Sequence, residues 1–145
     1  PGVSGLLQAM RRRLPEARQI ALGDGGTGGD LAAAHTAAST AHTVVVGLFP
    51  RVVCYQEDSV RISPPVVDLI RKIAAAGKQL VLLVFGNPYV LQDLPRGHIT
   101  LCSYDHDCPE SITATIDALF GDQPAPGQLP VTIPSTYAFG AGAGR

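Results

Sequence analysis

Polar side chains able to do chemistry fall in four short stretches of the chain. Asp24 sits among glycines, Arg51, Glu57, Asp58 and Arg61 share one loop, Asn87 follows an apolar run, and Asp105, His106 and Asp107 follow another. Carboxylates accept hydrogen bonds, a guanidinium donates them, and a carboxamide does both, so the set suits a hydroxyl-rich ligand such as a sugar. Asp58, Arg61, Asn87, Asp105 and His106 are the candidates for a substrate-side rim. Solvent-facing loops are polar without any function, and that plain reading stands beside the functional one.

Two further patterns invite a cofactor and fail on context. Gly23, Gly25 and Gly28 match G-x-G-x-x-G between an apparent strand and an apparent helix. Asp24 would set a negative charge beside a pyrophosphate, and the next strand ends at Leu48-Phe49-Pro50 with no acidic residue for a ribose. A glycine-rich turn accounts for the same residues. Cys102, His106 and Cys108 are potential zinc ligands, yet no second ligand pair completes a tetrahedron. Cys102 reads as a small core residue, and Asp105 and Asp107 read as turn and cap residues. The expectation is therefore no metal and no cofactor.

The elements that must position these residues are legible from spacing. Val3, Leu6, Leu7, Met10 and Leu14 recur at helical intervals until Pro15. Residues 17–22 predict a short strand, and Asp30 opens an alanine-rich helix towards Ala41. Thr43-Val-Val-Val-Gly-Leu48 is a continuous apolar run, the pattern of a strand covered on both faces and placed in the centre of a sheet. Ser63 caps a helix with Pro64 at its first position and Gly77 after its end. Residues 79–85 predict a second central strand that breaks at Gly86-Asn87-Pro88, with a short helical segment at 89–94. Residues 98–103 make another strand, Asp107 and Glu110 have capping-box spacing before a helix that Gly121 closes, and residues 129–133, flanked by prolines, predict an edge strand.

Strands alternating with helices imply right-handed crossovers and a mostly parallel open sheet with helices on both faces. This is an α/β sandwich of flavodoxin-like, three-layer type, and because it opens on a helix it reads as lacking its first strand. Ligands of such sheets bind beyond the carboxyl ends of the strands, where the four polar stretches converge.

Composition narrows the partners. The 145 residues suit one domain, with 46% hydrophobic and 16% charged residues. The net charge of −1 and a single basic run, Arg11-Arg12-Arg13 within a helix, give no footprint for nucleic acid. Three cysteines are too few and too irregular for a disulfide framework, and free, mostly buried thiols are expected. No stretch reaches the ~18–20 apolar residues of a membrane span, and the opening residues do not form a signal peptide. The compartment stays open.

Val44-Val45-Val46-Gly47-Leu48-Phe49, Gly77-Lys78 leading to Phe85-Gly86-Asn87-Pro88-Tyr89, and Gly127-Gln128-Leu129-Pro130-Val131-Thr132-Ile133-Pro134 occur in an order and spacing that resemble family-3 glycoside hydrolases. The resemblance is to their C-terminal, non-barrel domain, and more narrowly to bacterial β-N-acetylglucosaminidase-like members. It covers most of the chain. It implies a retaining enzyme whose (β/α)8 barrel, absent from this chain, carries an aspartate nucleophile, with this domain packed beside it and a carbohydrate as substrate. In many relatives a glutamate from a loop of this domain is the acid/base, whereas the acetylglucosaminidase-like branch uses a His/Asp pair of the barrel. Glu57 falls near the glutamate position, although its surroundings depart from that branch, so it reads as an ordinary loop glutamate with the catalytic role as its alternative. Two other readings stand: a non-catalytic carbohydrate- or protein-binding domain, and a nucleotide-binding enzyme built on the glycine loop.

Overall fold

The computed structural model describes residues 2–23, 26–55 and 60–142. Its elements are α1 (Gly2–Arg13), α2 (Gly28–Thr40), β1 (Thr43–Leu48), α3 (Pro64–Ala75), β2 (Gln79–Val84), a 3-10 turn (Pro88–Asp93), β3 (Ile99–Cys102) and α4 (Pro109–Phe120). The three strands form one parallel sheet in the order β1-β2-β3. The expected α/β sandwich is therefore present, with α2 and α3 over one face and α1 and α4 over the other.

Each helix shows why it forms where it does. Thr27 caps α2 by accepting from the Asp30 N–H at 3.2 Å, while its own hydroxyl donates to the Asp30 carboxylate at 2.6 Å. Pro64 occupies the start of α3, and left-handed Gly121 ends α4 at φ 79°. One core joins Ala38 of α2, Val67, Ile70 and Ile73 of α3 and Leu80, Leu82 and Val84 of β2; the other joins Leu6 and Met10 of α1, Val81 and Leu83 of β2, Phe85, and Ile112 and Ile116 of α4. The alternation of β2 side chains between these cores is the two-residue period of a strand covered on both faces.

Three expectations need correction. Only β2 is central, because β1 is a sheet edge and is buried just at Leu48. Residues 17–22 make no ladder, and residues 129–133 form no edge strand. The latter are claimed by a clasp made by residues 129–141: Leu129 N–H donates to Ala141 O, Gly140 N–H donates to Leu129 O, and Ile133 makes an isolated antiparallel bridge with Tyr137. Pro130 and Pro134 lack the donors that a ladder needs, so local turns satisfy this backbone instead.

Candidate functional site

The carboxyl ends of the strands finish level with one another. Phe85 N–H donates to Leu48 O and Ser103 N–H donates to Val84 O, both at 2.8 Å, so the exits of β1, β2 and β3 share one rim. Phe49 stacks on Phe85 with ring centroids 4.7 Å apart and planes 8° from parallel. Gly86 has φ 130°, and a Cβ there would lie 2.8 Å from Pro50 O. Only glycine fits this approach of two loops. Apolar strand ends followed by Phe49-Pro50 and Gly86 were the available signal for this packing, but its partners are remote in sequence.

Asn87 is spent on local structure. Its side chain accepts from Tyr89 N–H at 3.1 Å and caps the 3-10 turn, whose Pro88, Val90 and Leu91 are buried. Arg61 reaches the far end of that turn, where its guanidinium is 3.6 Å from the Asp93 carboxylate. Arg71 donates to the Asp93 carbonyl at 2.9 Å. Arg61 and Asn87 thus belong to one loop assembly, with the arginine as a brace rather than an isolated charge. Arg51 is exposed ahead of it.

The loop after β3 is organised by Asp105. Its carboxylate accepts from Asp107 N–H at 2.8 Å and Cys108 N–H at 3.1 Å, which holds its pKa below the usual aspartate range. The expected capping box of Asp107 and Glu110 is replaced by this turn, and Cys108 stands at the cap position of α4 without a side-chain cap bond. Cys108 Sγ instead donates to Glu110 at 3.0 Å, which lowers the Glu110 pKa. His106 Nε2 lies 3.2 Å from the Asp107 carboxylate. Burial pushes the Cys102 thiol up to about 11, so it is a protonated packing group near neutrality. Cys54 departs from the expectation of buried thiols and is exposed.

Glu57, Asp58 and Asp24 lie outside the described residues. Among the described residues no three His, Cys, Asp or Glu side chains come together as metal ligands. The glycine loop closes a turn through Gly26 N–H to Gly23 O at 2.9 Å, with Gly26 at φ 63°. Asp30 already places a carboxylate in the first turn of α2, where a pyrophosphate would need to sit.

Side chains that the polar inventory missed also surface at the rim. Val52, Val53 and Tyr55 follow β1, Tyr89 follows β2, and Tyr104 follows β3, all exposed. Tyr55 and Tyr104 sit at positive φ, 66° and 59°. A shallow depression of about 280 Å³ runs along α4 instead, lined by Pro109, Glu110, Thr113, Ala114, Asp117 and Gln123. The rim is consequently an open surface with apolar and aromatic groups between fixed polar ones. No family model matches the sequence, and no curated protein matches it as a relative.

Proposed function

We propose that this chain is the accessory α/β domain of a retaining glycoside hydrolase that removes β-linked N-acetylglucosamine or glucose. In this reading it packs on a catalytic (β/α)8 barrel of the same protein and lines that barrel's site. The observation that carries the reading is the rim itself. Phe49 and Phe85, from two of the segments resembling the family, stack there, Gly86 closes on Pro50, Asn87 caps the turn that follows, and Val52, Tyr55, Tyr89 and Tyr104 in the loops of the same rim are exposed. Exposed apolar and aromatic side chains on loops of one rim suit an interaction surface.

Neither Asp105 nor Glu110 is suited to be the proton donor. Retaining hydrolysis needs a nucleophile and an acid/base about 5–5.5 Å apart when both are carboxyl groups, with the acid protonated near neutrality. The Asp105 and Glu110 carboxyls are both held below their ordinary range, the opposite of what a proton donor needs. Tyr55, Tyr89 and Tyr104 also favour a second reading, a carbohydrate-binding domain in which aromatic faces stack on sugar rings.

A mechanism-based 2-deoxy-2-fluoroglycoside separates the readings. Applied to the full-length protein and followed by peptide mass spectrometry, it is expected to leave a glycosyl ester on an aspartate outside these 145 residues. A label within residues 1–145, or no label with a substrate that is turned over, would overturn the proposal.

A further inference from the structure

The outer edge of β1 is open. Gln79 N–H donates to His42 O and Phe85 N–H to Leu48 O, so the even-numbered residues of β1 turn their backbone groups towards β2. By the two-residue period of a strand, Thr43, Val45 and Gly47 turn theirs outward. Those of Val45 and Gly47 have no backbone partner among the described residues. The strand offers no charge, proline or bulge to protect this edge. On the β3 side the clasp makes side-chain contacts, the Tyr137 hydroxyl reaching the Thr100 hydroxyl at 3.4 Å and Arg96 binding the Thr136 carbonyl.

One segment of the chain is delivered to the open edge in the right direction. The start of α1 is at the carboxyl-end rim, where a Cβ on Gly2 would lie 3.6 Å from His106 O. Its end is at the opposite side, where Arg13 pairs with Asp122 and lies 4.8 Å over the Phe120 ring. Conversely, α2 ends at the amino end of the sheet, where Lys78 donates to Ser39 O at 2.9 Å, so α2 begins at the rim. Residues 17–22 must therefore climb from the amino end to the carboxyl end, parallel to β1.

They must also change faces, because α1 belongs to one core and α2 to the other. The route passes β1. Leu6 of α1 sits over Gly47, where a Cβ would meet it, and Leu22 packs against the core on the other face, the core that Val44 and Val46 also border. Gln19 ties the segment to α1 by donating to Leu7 O at 2.9 Å. Six extended residues cover about 20 Å, the length of β1. A right-handed crossover through α2, on the same face as α3, puts the preceding strand on the side of β1 away from β2.

We propose that residues 17–22 are a strap that closes the open edge of β1 as a fourth parallel strand. In this structure residues 17–22 make no ladder bonds with β1. Closing it satisfies Val45 and Gly47 and fixes Gly23, which follows it, on the same rim as the loops after β1, β2 and β3.

Residue-resolved amide exchange on the chain tests this. The Val45 and Gly47 amides are expected to exchange at least about tenfold more slowly than exposed amides. Ile20→Pro and Ala21→Pro remove donors of opposite parity, so one variant is expected to release that protection and the other to keep it, with Val44 and Val46 slow in both. Exposed-amide rates for Val45 and Gly47 in the unchanged chain, or equal effects of both prolines, would overturn the strap. Should a variant fail to fold, NOEs between residues 18–21 and Val45 in the unchanged chain decide it, their absence counting against closure.

Discussion

Gly86 shows how a single residue holds the rim together. Its φ of 130° and the 2.8 Å approach of Pro50 O to a would-be Cβ leave no room for a side chain. Gly86→Ala is expected to lower stability by about 2 kcal/mol or more in denaturant titration, since strained backbone alone costs of order 1–3 kcal/mol. Gly127→Ala, which meets no atom within 4 Å, is expected to change it by less than about 0.5 kcal/mol. Asp105 gives a pH test. Its folded pKa lies below the unfolded one, so its contribution is full above the ordinary aspartate pKa and is lost as pH falls through the folded value. Asp105→Ala is therefore expected to reduce the Tm at neutral pH, and the gap to the parent chain is expected to shrink on acidification. Growth of that gap at low pH would contradict the turn described for Asp105. The cysteines differ in the same way: exposed Cys54 is expected to alkylate first at pH 7, and Cys102, its thiol pushed up to about 11, far more slowly.

Among the elements, α3 and α4 announced themselves through proline, glycine and apolar period, with Pro64 at the start of one and Gly121 after the other. Asp30 was expected to open α2, whereas the cap is Thr27, three residues earlier, and Ser63 holds its cap position without a side-chain bond. The apolar run of β2 was equally plain. Apolar character could not tell centre from edge, and β1, which carries the same β-branched residues, is half-covered on the outside of the sheet. Residues 129–133 look like a strand by composition, but what decides their state is which backbone group they meet, and Ala141 and Tyr137 are visible only in three dimensions. The candidate site was legible to a similar degree. The loops that converge could be named from strand ends, and so could the turn at Asn87-Pro88, where the asparagine side chain accepts from Tyr89 N–H, whereas the tie of Arg61 to Asp93 could not. Asn87→Ala is expected to cost about 1 kcal/mol by uncapping the 3-10 turn, and Ile133→Ala about 2–5 kcal/mol by emptying a site that is 1% exposed. Chemical denaturation checks both, and an unchanged midpoint for Ile133→Ala would show that the clasp is not part of the core.

At the scale of the whole molecule, the sheet presents a rim where several described polar groups are committed to turns and apolar side chains face outward. Asn87 and Asp105 hold backbone amides, Arg61 braces Asp93, and Val52, Tyr55, Tyr89 and Tyr104 remain available. In the proposed reading such a surface positions and covers, and the two opposed groups of retaining hydrolysis come from the barrel. The most direct test of the accessory-domain account is a fluorogenic assay with β-N-acetylglucosaminide and β-glucoside substrates, run on this chain alone and on the full-length protein side by side. The account expects release at the buffer rate from the chain and clear turnover by the full-length protein. Turnover by the chain alone, abolished by Glu57→Gln, would contradict it and make this domain a self-sufficient hydrolase.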